Sequence, residues 1–529
     1  MHRFQVISIS IFAIVFVVIL LRMLIHSPLK RSGKVKATLN ISEYGFGENK
    51  QLIIIDLTSI GEISKIHDDD KAYARMSWSD VNNPIEYKDI GIEYKGGTAA
   101  RQKLNYGFEL WEDKDVNTTC SATPDTCDDR KETLFGFDES YEDFVLKSSE
   151  QDPAFIVSVL PHTTDGGIIE NTLVEVLIKI GDDVYYEGVY VLYSAIKRRL
   201  LEKRLNWEND LGHEGKAEDC DDSDYDIEHT AIIAEYTTPT DNTGRKEPCK
   251  IFSDYNIKMK YPDCEDYDSS GFASCRSDYV NRTEFFMSVL SGKNTSVVPL
   301  HHESFVKKYY LDLLLQKPDI GENSDYFVVT PDSKLYSGPR WDYEWTNYHR
   351  MFDIKGFDLY HITFNKRMPL YKTLGKSASF IEKVKNMNDT IDVNQVAIDH
   401  LIELRTNQTS KGYFDRNNER WDVLGKNFRV NSAWLLIGER SLTENTMQKE
   451  VDFWGDRLKA RNKWLKDNIH TLEEFHFIDP MGGYIAVAAL LYLLPLILAG
   501  ILIWVSCTRQ TMEERYGFEV VPKRELPII

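Results

Sequence analysis

Several acidic side chains surround one predicted β-hairpin in the second half of the chain. A Pro-Asp-Ser-Lys turn at residues 331–334 separates two segments of strand-like composition. Hairpin register centred on this turn places Asp325 opposite Arg340. Asp342 then lies opposite roughly Asn323. The side chains that gather at the open end of the hairpin are Asp319, Asn323, Asp325, Asp342 and Glu344.

Carboxylates brought together in this way repel one another unless a cation or a proton intervenes. A Mg²⁺ site with a catalytic Asp beside it is the economical explanation of the cluster. The alternative is a set of solvated loop carboxylates that share no ion.

The elements that must position this hairpin change character along the chain. Runs rich in β-branched residues fill the first half and alternate with Gly-containing turns. They predict strands at 51–58, 90–95, 106–111, 173–180 and 184–192, with Gly96 and Gly97 between the second and third.

The second half has mainly helical periodicity. Residues 304–316 repeat apolar positions every three to four residues, with Ser304 as the predicted N-cap and Pro318 ending the helix. A basic stretch at 197–204 and a long segment ending near Asn468 also predict helices. We therefore expect an α+β protein with a β-rich N-terminal lobe and a mostly helical C-terminal lobe.

The composition restricts the function. The chain of 529 residues has a formal net charge of −20, 42% hydrophobic and 12% aromatic residues. This composition predicts a folded protein and argues against nucleic-acid binding, which needs a basic face. The acidic excess suits a cationic protein partner or divalent metals, and a solvated acidic surface is the alternative.

Two apolar runs predict membrane segments. Residues 484–506 contain no charge and are long enough to span a bilayer, so residues 507–529 would form a cytosolic tail. Residues 4–21 predict a signal anchor or a cleaved signal peptide within 1–26. The sequence therefore predicts an integral membrane protein of the secretory pathway or plasma membrane.

Sequons and cysteines between these runs predict that residues 27–480 are lumenal or extracellular. An even number of cysteines in an oxidising compartment indicates disulfides, and several fall in a predicted insertion near 210–280. The candidate glycosylation sites are Asn40, Asn117, Asn281, Asn294, Asn388 and Asn407. The candidate disulfide residues are Cys120, Cys127, Cys220, Cys249, Cys264 and Cys275, of which Cys120 with Cys127 and Cys264 with Cys275 are the nearest neighbours.

From about Gly91 to Ile469 the chain resembles the CotH spore-coat kinases, a branch of the atypical protein kinases. Four blocks carry the resemblance, and their order and spacing make it specific. The blocks are Gly96-Gly97-Thr98 with Gln102-Lys103-Leu104-Asn105-Tyr106, then Tyr186-Glu187-Gly188-Val189-Tyr190, then Pro318-Asp319 with Asp325-Tyr326-Phe327-Val328, and Trp341-Asp342-Tyr343-Glu344.

The resemblance implies a two-lobed kinase-like fold flanked by transmembrane helices, and transfer of the ATP γ-phosphate to Ser or Thr of a protein with Mg²⁺ or Mn²⁺. Its implied roles are assigned by residue. Asp319 orients or deprotonates the hydroxyl, Asp325, Asp342 and Glu344 hold the metal, and Lys103 with Gly96 and Gly97 contacts the nucleotide. A basic Ser-rich protein is the candidate substrate.

The chain also departs from the family pattern. Asp325 stands where the family usually has Asn, and Ser194 stands where it has a Glu that would pair with the nucleotide-binding lysine. Glu235 is the residue that could compensate. Lys103 could alternatively be a surface lysine, and Gly96 and Gly97 a plain turn. A catalytically weak pseudokinase that acts as a cell-surface binding or adhesion protein is therefore the alternative function.

Overall fold

The computed structural model describes the central part of the chain in a series of segments. The described residues are 36–37, 51–66, 71–79, 86–95, 103–113, 127–149, 152–164, 169–197, 232–236, 257–261, 300–317, 324–330, 334–343, 369–390, 413–421, 424–425 and 444–469.

Nine strands of the described residues belong to one sheet in the first half of the chain. They are β1 (Lys36–Ala37), β2 (Leu52–Asp56), β3 (Ala72–Ser79), β4 (Lys88–Lys95), β5 (Asn105–Asp113), β6 (Cys127–Asp129), β7 (Asp143–Lys147), β8 (Asn171–Ile180) and β9 (Asp183–Ser194). The strands predicted at 90–95 and 106–111 and at 173–180 and 184–192 are confirmed as β4, β5, β8 and β9, and β4–β5 and β8–β9 pair antiparallel.

This sheet closes on itself. Strands β9, β7, β5, β4, β3, β2 and β8 follow one another in that order, and β8 pairs back onto β9. Strand β8 is thus bonded on both edges, to β9 and, in parallel, to β2, where Ile53 lies beside Val176. Within the described residues, seven strands therefore form a closed barrel, with β1 on β9 and β6 on β5 as additions.

Alternate side chains along each strand point to opposite faces of the sheet, and those on one face pack in the main hydrophobic core. In β2, Ile53 and Ile55 belong to the main hydrophobic core, whereas Leu52 and Ile54 pack with Tyr186 in a separate cluster on the other face. Because successive strand residues point to opposite faces, the unbroken apolar sequence of β2 indicates a strand covered on both sides.

A second sheet follows in the chain. It contains β10 (Ile232–Tyr236), β11 (Ile257–Tyr261), β12 (Asp325–Val329) and β13 (Leu335–Arg340), in the order β11-β10-β12-β13 and with every pair antiparallel. The hairpin β12–β13 pairs Asp325 with Arg340, so the register predicted from the turn is confirmed.

The described helices are α1 (Ile156–Thr164), α2 (His302–Leu315), α3 (Pro369–Leu374), α4 (Ala378–Thr390), α5 (Tyr413–Trp421) and α6 (Met447–Asn468). The prediction of α2 is confirmed except for its cap. His301 is the N-cap and accepts a hydrogen bond from Ser304 N, so Ser304 lies inside the first turn. The predicted long helix is α6, and Trp454, Leu458 and Leu465 are buried on one face of it. The predicted helix at 197–204 lies outside the described residues except for Lys197.

Helix α5 covers an irregularity in β9. The pairing of β8 with β9 shifts register at Gly188, leaving Glu187 as an extra residue in a β-bulge. Trp421 Nε1 donates to the Glu187 carbonyl (2.8 Å), and Asn417 Oδ1 accepts from Val189 N (2.9 Å). Gly188 has φ +127°, and a Cβ there would lie 2.7 Å from both the Asn417 and the Trp421 side chains. Only glycine therefore lets α5 approach β9 so closely.

The predicted two-lobed kinase-like fold is wrong. The β-rich part is a closed barrel with a small additional sheet, and the described helices are few. One hydrophobic cluster runs from Ile53 in the barrel through Phe327 in the small sheet to Trp454 in α6. The expected division into a β lobe and a helical lobe fails because β2 pairs with β8 to close the sheet, and the packing behind the small sheet is continuous with the barrel interior.

The prediction of an integral membrane protein with flanking transmembrane helices is also corrected. Among the residues that the structure describes, no helix combines the length and the apolar character needed to cross a membrane. The two apolar runs that motivated the prediction, 4–21 and 484–506, lie outside the described residues.

We expect Gly188→Ala to destabilise the protein by about 2–4 kcal/mol, since it adds a strained φ angle and a clash with α5. Gly181→Ala is the matched control, because Gly181 also has a positive φ (+60°) but a Cβ at this position would have no neighbouring atom within 4 Å. Chemical unfolding of both variants measures the difference, and an equal loss in the two would show that the approach of α5 is not what requires glycine.

Candidate functional site

The barrel and the small sheet contribute one charged side chain each to the candidate site. Lys147, the last residue of β7, lies with its Nζ 2.6 Å from Asp342 Oδ1. Asp342 follows β13 by two residues and has φ +57°, in the left-handed region. Its side chain is 23% exposed, against 8% for Lys147. The carboxylate therefore meets solvent on one side and an ammonium group on the other.

Aromatic rings line this ion pair. The Lys147 ammonium lies 5.6 Å from the centre of the Trp341 ring, within the range of a cation–π interaction. Trp341 contacts Tyr193 of β9 at 5.2 Å between ring centres and His162 of α1 at 6.4 Å. The rings fix Trp341, and with it the backbone that carries Asp342.

His162 is a buried neutral imidazole in this wall. Burial, together with the positive charges of Lys147 and Arg340, lowers the pKa of His162 from 6.5 to about 3. A third positive charge near Lys147 and Arg340 would be unfavourable, so His162 stays neutral at physiological pH.

Asp325 is at the centre of a buried network. Its Oδ1 accepts hydrogen bonds from Lys308 Nζ at 2.7 Å and from Lys317 Nζ at 3.1 Å. Asp325 and Lys317 are 0% exposed and Lys308 is 1% exposed. Two ammonium groups therefore neutralise the carboxylate that the resemblance implied would hold a metal.

Lys308 also joins a second carboxylate to this network. Its Nζ lies 2.7 Å from Asp312 Oδ2, and Asp312 Oδ1 accepts from the Tyr343 hydroxyl at 2.5 Å. Burial on its own would lower the pKa of Lys308, but Asp312 and Asp325 outweigh it and raise this pKa well above its usual value. Burial is also the main cause that raises the pKa of Asp312.

The described residues do not fit a divalent metal at the predicted position. Asp325 is already neutralised, and Asp342 is paired with Lys147. Nowhere in the described segments do three or more His, Cys, Asp or Glu side chains come together as a possible metal site. Asp319 and Glu344, the other acidic residues of the predicted set, lie outside the described residues.

Lys103 is buried at the same end of the barrel as Lys147. Its Nζ donates to the carbonyls of Ser148 (3.0 Å) and Val189, and to Asn417 Oδ1 (3.2 Å). The Tyr190 ring centre lies 4.5 Å away, and Lys103 is 2% exposed. These contacts make Lys103 a structural link between the barrel and α5. The lysine that lies beside Asp342 is Lys147.

Glu235 and Ser194 have separate surroundings. Glu235 lies opposite Tyr326 in the pairing of β10 with β12 and accepts a hydrogen bond from it. Burial, Glu235 and Asp342 together raise the pKa of Tyr326 well above 10. Tyr326 is therefore within electrostatic range of both Glu235 and Asp342. The Ser194 hydroxyl accepts from the backbone N–H of Glu170 at 3.1 Å, inside the barrel wall.

The remaining predicted sites have few described contacts. Cys127 is disulfide-bonded, and Asn388 falls within α4. The other predicted glycosylation and disulfide residues, and Gly96 and Gly97, lie outside the described residues.

Sequence reasoning missed Lys147, His162, Lys308 and Lys317. Lys308 and Asp312 did carry a signal, because an oppositely charged pair four residues apart interrupts the apolar face of α2. Lys147 carried none, since a lysine that ends a strand is ordinarily solvated.

Neither the family models nor the curated proteins with which the chain was compared give a match. The assignment of a function to this site therefore depends on its own geometry and on the resemblance of the sequence blocks.

We expect the free energy of unfolding to fall as the pH is lowered from 6.5 towards 3, because the unfolded chain protonates His162 while the folded protein does not. His162→Phe keeps the ring packing and removes about 1.5 kcal/mol of the loss between pH 6.5 and pH 5. Urea unfolding at the two pH values checks this.

The control is His302→Phe, at an exposed position that begins α2. Partial burial also lowers the pKa of His302, but because this side chain is exposed, His302→Phe should remove a smaller part of the loss than His162→Phe does. A His162→Phe protein with an unchanged loss would show that His162 is not buried as a neutral group.

Proposed function

We propose that the protein transfers the γ-phosphate of ATP to a Ser or Thr hydroxyl of a protein substrate, at the site that contains Lys147 and Asp342. The observation that carries the proposal is the Lys147–Asp342 ion pair, which joins residues far apart in the chain at a partly exposed position. An Asp held in the left-handed region is strained, and strain of this kind is common at functional sites.

The role of the phosphate-contacting lysine passes from Lys103 to Lys147 in this proposal. Lys103 already satisfies its ammonium with three oxygen atoms inside the protein. Lys147 has Asp342 as a partner, and a phosphate oxygen could exchange with that carboxylate at the exposed side. An ammonium in a site of low dielectric stabilises the negative charge of the phosphates.

The proposed reaction needs only ATP and the substrate hydroxyl. The substrate hydroxyl oxygen forms a bond to the γ-phosphorus, the bond from the γ-phosphorus to the β–γ bridging oxygen breaks, and ADP leaves. Asp319 is the proposed acceptor of the hydroxyl proton, as the resemblance implies. Asp325 takes no part in this step, because Lys308 and Lys317 neutralise its carboxylate.

A binding protein without efficient phosphate transfer is the second candidate. It is favoured by the same neutralised Asp325 and by Ser194, which holds the backbone of Glu170 at the position where the resembling family has a Glu. Such a protein could bind ATP or a protein ligand and still lack turnover. Phosphate transfer therefore separates the candidates better than nucleotide binding does.

We expect the purified full chain to transfer labelled phosphate from ATP, with Mg²⁺ or Mn²⁺ in the buffer, to itself or to a basic Ser-rich protein. Asp342→Asn and Lys147→Met should each lower the rate by about 10²-fold or more, because each removes one partner of the proposed site. Lys65→Met is the matched control, at a lysine that is 61% exposed.

The outcome for Lys103 distinguishes the two lysines. Lys103→Met should lower the melting temperature, while the folded fraction keeps more activity than Lys147→Met. Full activity in Asp342→Asn would contradict the proposed site. A folded wild-type protein that transfers no phosphate with either metal would favour the binding protein.

A further inference from the structure

The Lys317 ammonium is surrounded by oxygen atoms of the kind that bind a metal ion. Its Nζ lies 3.1 Å from Asp325 Oδ1, 3.4 Å from the Ser324 carbonyl oxygen and 3.3 Å from the Trp341 carbonyl oxygen. One carboxylate and two backbone carbonyls form an all-oxygen set, which is the kind of ligand set that Mg²⁺, Mn²⁺ and Ca²⁺ prefer.

The Lys317 ammonium is enclosed. Lys317 is 0% exposed, and its Nζ also lies 5.0 Å from the centre of the Tyr343 ring. The Asp325 carboxylate has Lys308 on the same oxygen at 2.7 Å. A divalent ion at Asp325 would have to displace Lys317 or sit beside two buried ammonium groups, and the repulsion between cations in a site of low dielectric opposes this.

We propose that Lys317 is a resident cation, which takes the place of a divalent metal between Asp325 and the Trp341–Asp342 backbone. In the native protein Asp325 is then a structural anion and not a metal ligand. This role of Lys317 holds whether or not the protein transfers phosphate.

If Lys317 occupies the place of a metal ion, removing its side chain should create a site that a metal ion can fill. Shortening Lys317 to Ala removes the ammonium and leaves a space lined by the three oxygen atoms. A divalent ion could then enter and neutralise Asp325 in place of the lysine. Because Lys308 remains on the same carboxylate, the affinity should be weak, with a Kd on the order of 10⁻³ M.

The test compares the full chain with three variants: Lys317→Ala, Lys317→Met, and the double variant Lys317→Ala with Asp325→Asn. Lys317→Met removes the charge but fills the space, and the double variant keeps the space but removes the carboxylate. The number of bound Mn²⁺ ions is measured by electron paramagnetic resonance, and the melting temperature is measured in EDTA and in millimolar Mn²⁺.

We expect Lys317→Ala to bind up to one additional Mn²⁺ relative to the wild type and to gain about 1 °C in melting temperature in millimolar metal. The wild type, Lys317→Met and the double variant should show neither change. If Lys317→Ala is partly unfolded in EDTA, Mn²⁺ should raise its folded fraction.

Three results would overturn the inference. The first is that Lys317→Ala binds no more Mn²⁺ than the wild type, and the second is that it stays unfolded at every Mn²⁺ concentration. The third is that the double variant binds as much Mn²⁺ as Lys317→Ala does. Because the readouts are metal binding and melting temperature, they are independent of the phosphate-transfer assay, and failure of one proposal does not imply failure of the other.

Discussion

A carboxylate without exposed surface must be neutralised inside the protein, and at Asp325 this requirement connects several elements. Lys308 reaches Asp325 from α2, and Lys317 reaches it from just beyond the end of α2. Lys317 also contacts the Trp341 carbonyl, one residue before Asp342. Removing one partner of a buried pair costs about 3–5 kcal/mol. The position of Asp342 therefore depends on charges that themselves never reach solvent.

The same constraint explains why two lysines at one end of the barrel differ. Lys103 precedes β5 and Lys147 ends the neighbouring β7, so they are close in the fold. Three oxygen acceptors and the Tyr190 ring enclose the Lys103 ammonium, and one of the acceptors, Asn417, belongs to α5. The glycine at 188 allows this approach of α5. Packing thus commits Lys103 to the fold and leaves Lys147 beside the partly exposed carboxylate.

Local patterns predicted the local elements well. The turn at 331–334 was enough to place Asp325 opposite Arg340, and periodicity was enough for α2. The parallel pairing of β2 with β8 was not predictable in this way, because it joins strands more than a hundred residues apart and no turn specifies it. The predicted charge balance at this cluster was incomplete for a related reason. It counted the carboxylates near one hairpin but not the lysines that α2 brings to them.

Charge acts on two scales in this protein. The chain as a whole carries a net charge of −20, which would repel an anionic nucleotide at long range and attract a basic protein. Salt screens this long-range field beyond about 10 Å at 0.1 M ionic strength, but it screens a partly buried contact much less. A phosphate group that reaches Lys147 would therefore meet a local positive charge, although the net charge of the protein is negative. Under the proposed function, the acidic surface would select the protein substrate, and Lys147 would contact the phosphates.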